Sequence, residues 1–286
     1  MSFFVSFEGI DGCGKTTQVE LLRSRLESAG AQVLATREPG GTVLAEMLRS
    51  SILTSDARLD APAEALLFGA ARAQHVVETI RPALERGQVV LCDRFADSSV
   101  ADQGAGLGLE LDFILRLNRF ATGGLEPDIT FLLDLDPATG WQRRETQRGT
   151  TATGATATAT GTTASGASGT TASGTTASGA TPIRSGAQIT AQAENAAQAE
   201  NAARIGSAAQ AKEASRGEED RIERRGLAFQ ERVRDAFLQL ARDHPARIVL
   251  LDAAAPAKIV HNRIVRELAK HDLFHFERNR QNAADS

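Results

Sequence analysis

Gly9-Ile-Asp-Gly-Cys-Gly14-Lys15-Thr16 sets glycines, a lysine and a hydroxyl residue at the spacing G-x-x-x-x-G-K-[ST]. Glycines let backbone N–H groups wrap a phosphate, and a helix beginning at Lys15 aims its positive end at it. Within the stretch Gly9, Ile10, Asp11, Gly12, Cys13, Gly14, Lys15, Thr16 and Thr17, Lys15 is placed for β- and γ-phosphate oxygens. Thr16 offers a hydroxyl to Mg²⁺. Lys15 is the only lysine among the first 211 residues of an arginine-rich chain. These residues read as a nucleoside-triphosphate site.

A second set lies at strand ends. Asp93-Arg94 closes the apolar run Gln88–Cys92, where an acid beside a phosphate-binding loop is a partner for Mg²⁺ through water. Arg94 can clamp a further phosphate bidentately. Arg37-Glu-Pro-Gly-Gly41 follows another strand and brings a second arginine to the same sheet edge. Two arginines converging on one such loop imply a phosphorylated acceptor, and hence a kinase rather than a simple ATPase.

The elements that must hold these residues follow from patterning. Phe3–Phe7, Gln32–Thr36, Gln88–Cys92, Asp128–Leu133 and Arg247–Leu251 read as strands. Helical spacing separates them, over Lys15–Ala29, Thr42–Leu53, Ala61–Glu85, Leu109–Phe120, from Pro137 towards Arg148, Asp220–Arg242 and Pro256–Lys270. Alternation of this kind predicts an α/β fold, a P-loop NTPase three-layer sandwich around a central parallel five-stranded sheet.

One tract interrupts the alternation. Thr150–Gly217 has no aromatic, Leu, Val or Met, and its first half repeats Thr-Ala-Ser-Gly. Such a composition cannot bury enough apolar surface to offset its ordering entropy, so disorder is expected, with at most a transient helix at Gln192–Ala202. The expected organisation is one kinase domain over 1–149 and 218–273, an insertion at 150–217 and a tail at 274–286.

Other classes fall away. A net charge of −4 excludes a globally basic nucleic-acid binder. The start lacks a basic segment and Glu8 breaks its apolar run, so no signal peptide is expected, and no run approaches a membrane span. Cys13 and Cys92 make neither a disulfide framework nor a metal pattern, and His271 with His275 lacks partners for a metal. Cys13 lies at a helix start, which can lower a thiol pKa, but the expected reading is a passive loop position. A cytoplasmic location is expected.

Gly9-x-Asp-Gly-x-Gly-Lys-Thr-Thr17, Thr36-Arg-Glu-Pro-Gly-Gly-Thr42 and Asp93-Arg-Phe-x-Asp-Ser-Ser-x-Ala-x-Gln-Gly104, in this order, resemble the thymidylate kinases. The likeness continues through Pro127-Asp128, Asp220-Arg-Ile-Glu223 and Leu251-Asp-Ala253. It implies transfer of a phosphoryl group from MgATP to dTMP, and a homodimer that binds neither nucleic acid nor membrane. Asp11 matches the acid at the dTMP sugar and phosphate, and Arg94 and Arg37 match the arginines on the acceptor phosphate. Phe68 matches the aromatic stacked on thymine, and Arg72 the side chain bonded to its carbonyl. Ser98, Ser99 and Gln103 match the loop at base and sugar.

Two departures bear on activity. The P-loop carries Gly12 where some members have arginine, so a lid arginine must serve the transferring group: Arg143, Arg144 or Arg148 before the tract, or Arg221 after it, with Arg148 preferred. Asp102 replaces an aromatic beside the sugar, which implies weaker rejection of ribonucleotides. A kinase for another nucleoside monophosphate, or a nucleotide-binding protein with a disabled lid, are the rival readings.

Overall fold

The computed structural model describes residues 2–54, 58–155 and 221–271. Two compact units divide the chain: Met1–Gln147 with Glu218–Ser286, and Arg148–Gly217. In the first, strands β1 (Phe3–Glu8), β2 (Val33–Arg37), β3 (Val89–Asp93), β4 (Ile129–Asp134) and β5 (Ile248–Asp252) form one sheet, ordered β2-β3-β1-β4-β5. Every pairing is parallel, as expected of strands joined through helices. β1 and β3 are almost wholly apolar and bury both faces, the signature of a covered parallel sheet.

The helices are α1 (Lys15–Ser28), α2 (Val43–Thr54), α3 (Ala61–His75), α4 (Arg81–Glu85), α5 (Ala96–Ser99), α6 (Leu111–Thr122), α7 (Pro137–Ala155), α8 (Leu227–Asp243) and α9 (Ala257–Leu268). One core joins Phe7, Phe131 and Leu133 of the sheet to Leu22 of α1, Phe237 of α8 and Ile264 of α9. The opposite face joins Phe4, Val90 and Phe95 to Ile80. Phe4 meets Phe95 edge to face at 4.9 Å.

Four expectations change in detail. The stretch expected as a helix over Ala61–Glu85 contains a π turn, Val76–Ile80, between α3 and α4. Ser98, Ser99 and Gln103, which the resemblance places in a loop, are helical: α5 runs directly into a π-helical segment, Val100–Gly106. Its Gly106 lets the Phe229 ring pack where a Cβ would stand 2.5 Å from it. The helix expected over Asp220–Arg242 is a 3₁₀ turn, Glu223–Arg225, and then α8, because Gly226 at φ 76° breaks the path. α7 continues to Ala155, beyond Arg148. The expectations for Asp220, for most of the tract and for the tail lie outside the described residues.

Sheet register sets up the site. Phe7 and Arg37 both align with Asp93, so β1, β2 and β3 end together. Ligands of open α/β sheets bind at this carboxyl edge.

Candidate active site

The loop after β1 is pinned backbone to backbone against α7. A Cβ on Gly12, whose φ is 81°, would meet the Gly140 carbonyl oxygen at 2.3 Å, and one on Gly140 would meet the Asp11 oxygen at 2.6 Å. Only glycine at both positions allows this approach. Lys15 Nζ donates to the carbonyls of Gly9 and Ile10, both at 3.0 Å, and is largely buried in the loop. Thr16 Oγ1 donates to Asp93 Oδ2 at 2.6 Å. Two hard oxygen donors this close are what a Mg²⁺ ion takes, directly or through water. Burial pushes the Cys13 thiol up, which outweighs the lowering by Lys15 and Arg94 nearby.

Arg94 is the only non-glycine residue at positive φ among the described residues, at 71°. From there its Nη2 donates to Asp11 Oδ1 and its Nη1 to Ser98 Oγ at 3.1 Å. Burial opposes its charge, but Asp11, Asp102, Asp93 and Glu8 outweigh that and keep the guanidinium protonated. Asp11 is partly buried, and although desolvation works against its charge, Arg94, Lys15 and Arg144 hold its carboxyl well below the usual range. Arg37, on β2, pairs with Glu46 at 2.9 Å, and its Nε is buried without a hydrogen-bond partner among the described residues.

Glu64, Phe68 and Arg72 stand one turn apart on α3 and share a face. Arg72 is fully buried and donates through Nε to Glu38 (2.7 Å), through Nη1 to Ser99 and Asn118 (2.9 and 2.6 Å), and through Nη2 to Phe95 O (3.1 Å). A guanidinium has five N–H bonds, and these contacts engage four of them. Burial works against ionisation of Glu38, but Arg72 and His75 outweigh it and hold the carboxyl below its ordinary value. Phe68 is half-buried. Gln103 donates to Glu64 Oε1 at 3.0 Å, and Asp102 lies 3.8 Å from Arg94.

The arginine candidates separate. Arg143 reaches away from the loop, to the carbonyls of Ala253 and Ala254 at 3.0 and 3.4 Å. Arg144 faces Asp11 at 4.0 Å, with its guanidinium 5.0 Å from the Trp141 ring centroid. Arg221 is committed to α3, donating to Glu64 Oε2 at 2.6 Å and to Ile52 O at 2.8 Å, and Arg225 joins it on the same oxygen. Arg148 opens the second compact unit. Sequence reasoning passed over Glu8, Glu38 and Glu64, the buried acids on which these side chains converge. Of the three, Glu38 alone had a visible signal, because it stands inside the Arg37–Gly41 turn.

A five-stranded parallel sheet carrying a P-loop, a strand-end acid and two further arginines at one edge defines a P-loop phosphotransferase. The thymidylate kinase family model matches residues 7–156. The thymidylate kinase of Citrifermentans bemidjiense is 38 % identical over 259 residues, covering 90 % of this chain and 87 % of that protein. That of Syntrophotalea carbinolica is 38 % identical over 265 residues, covering 92 % and 94 %. The crystal structure of thymidylate kinase from Ehrlichia chaffeensis superposes with a TM-score of 0.56 at 28 % identity, covering 93 % of this chain and 98 % of that one. The chain belongs to the thymidylate kinase family, the nucleoside monophosphate kinases that act on dTMP.

Proposed function

We propose that this chain transfers the γ-phosphoryl group of ATP to dTMP through the residues gathered at the carboxyl edge of β1–β3. The observation that carries the assignment is Arg94, turned onto Asp11 of the P-loop with Arg37 at the same edge. The family match weighs for dTMP against another monophosphate, and against nucleotide binding without turnover. Arg37 and Arg94 hold the acceptor phosphate, Phe68 stacks on the base, and the remaining Arg72 hydrogen meets a base carbonyl. Ser98, Ser99 and Gln103 complete that side of the cleft.

A phosphomonoester oxygen is already ionised near neutral pH, so the acceptor needs no general base. Lys15 neutralises charge on the donor phosphates, and Asp11 spaces the cations around the transferring group. Mg²⁺ held by Thr16 and Asp93 would add charge neutralisation at the β- and γ-oxygens. Among the candidate arginines, Arg144 has the geometry to serve the P-loop side, while Arg143 supports the loop after β5. Losing a cation at the transferring group costs about 10³-fold or more in turnover.

The kinase domain spans 1–149 and 218–273, with 150–217 inserted in the lid and 274–286 as a tail. Val43, Met47, Leu66 and Phe120, exposed on α2, α3 and α6, favour a homodimer through that face. The free thiols Cys13 and Cys92 agree with a cytoplasmic setting. Among the described residues no helix is long and apolar enough to cross a membrane. ADP release with MgATP, tested against dTMP, dUMP, dCMP, UMP and CMP, should be fastest with dTMP. Preference for another monophosphate, or binding of ATP with no turnover, would overturn the assignment.

A further inference from the structure

Glu8 ends β1 with no exposed surface, and no step described above uses it. A buried carboxyl is costly unless its oxygens are engaged. Both of its oxygens are: Oε1 accepts from the Phe95 backbone N–H at 2.7 Å, and Oε2 accepts from the Ser98 hydroxyl at 2.6 Å. The two donors flank Arg94 in space. Phe95 is the next residue in the chain, and Ser98 is the hydroxyl that accepts from Arg94 Nη1. Arg94 N itself donates to Phe7 O at 2.9 Å, so the backbone on both sides of the φ 71° residue is tied to the end of β1. A non-glycine residue holds such a conformation only where its surroundings over-determine it.

We propose that Glu8 is a positioning residue for the acceptor clamp, fixing the left-handed turn at Arg94 and, through Ser98, the direction of its guanidinium. The proposal rests on the reading of Arg94 as the clamp. Burial and the neighbouring Asp97 carboxylate raise the Glu8 pKa, against Ser98, Arg94 and Phe95. Arg247 and the Cys92 thiol are the other ionisable groups whose fields reach it. When Glu8 is ionised, Ser98 must donate to it and so presents a lone pair to Arg94. When it is protonated, that demand is lost. The positioning therefore strengthens as pH rises through the Glu8 titration.

The test is kcat/KM for dTMP and KM for ATP, between about pH 6 and 9, in the wild type, Glu8→Gln, Ser98→Ala and Arg94→Ala. Glutamine copies the protonated acid. The ratio of wild type to Glu8→Gln should stay near one at the acid end and climb to about tenfold at the alkaline end, with KM for ATP unchanged. Titration of dTMP and of Asp102 is common to both proteins and cancels in the ratio. Ser98→Ala keeps Glu8 on Phe95 but severs the link, and should lose the same pH-dependent gain. If Glu8→Gln does not accumulate, Ser98→Ala decides by this readout. Superimposable wild-type and Glu8→Gln profiles, a retained gain in Ser98→Ala, or a parallel change in KM for ATP would overturn the positioning role. Arg94→Ala tests the clamp separately: dTMP efficiency should collapse at every pH. An unchanged KM for dTMP there would remove the clamp reading itself.

Discussion

Asp102 brings a second carboxylate within 3.8 Å of the guanidinium that also pairs with Asp11. Burial, with Asp11 adding to it, pushes its pKa up to about 6 against the pull of Arg94. Below that value Asp102 is neutral and leaves Arg94 to the acceptor. Above it, the new negative charge both occupies Arg94 and repels a phosphate. Asp102→Asn should therefore lower KM for dTMP by up to about fivefold above pH 6, a gain that fades below it, since a partly screened pair contributes roughly 0.2–1 kcal/mol. Initial-rate measurements across pH check this, and equal KM values at pH 8 would count against it. In the same assay, Asp102→Tyr should raise the preference for dTMP over its ribose counterpart, because a ring crowds a 2′-hydroxyl and a carboxylate can accept from it.

Between elements, Glu64 joins three parts of the chain that sequence keeps far apart. It accepts from Gln103 and from Arg221 and Arg225, and is itself fully buried. Glu64→Ala would leave two guanidiniums without their carboxylate, a loss of about 3–5 kcal/mol for a broken buried pair. Denaturant unfolding should show it as a lowered midpoint, and an unchanged midpoint would mean the cluster is not a tie. This cluster also marks the limit of what the sequence reveals. Lys15, Thr16, Asp93 and Arg94 are legible because phosphate chemistry demands fixed spacing next to a strand or helix end. Glu8 and Glu64 are not, since a single acid in an apolar run says nothing of partners up to 161 positions away. Arg143 and Arg144 differ by about 100° around a helix, so choosing between them needs the helix phase, which a start placed only to within a residue or two does not give. The π-helical segment Val100–Gly106 is not legible in the sequence because so short a turn lacks the periodicity that reveals longer helices.

At the scale of the whole molecule, the proposed insertion at 150–217 is the part of the chain that does not follow the α/β alternation. Loop closure costs only about 0.6 kcal/mol per doubling of length, so the fold should tolerate the tract. Replacing Thr150–Gly217 with a short linker should preserve or raise turnover, and both proteins should elute as dimers on light-scattering chromatography. Abolished activity would mean that the tract takes part in catalysis, and a monomer would remove the role given to the α2–α3–α6 face. The order of the sheet carries a consequence for biosynthesis. β4 gains its outer neighbour only from β5, which begins at Ile248, more than a hundred residues after β4 ends at Asp134. At 5–20 residues per second, the ribosome leaves that apolar strand edge without a partner for roughly 6–23 s. An unpaired edge is a template for association with other chains. Much of that interval passes while the tract Thr150–Gly217 is being translated, so shortening the tract should shorten the exposure.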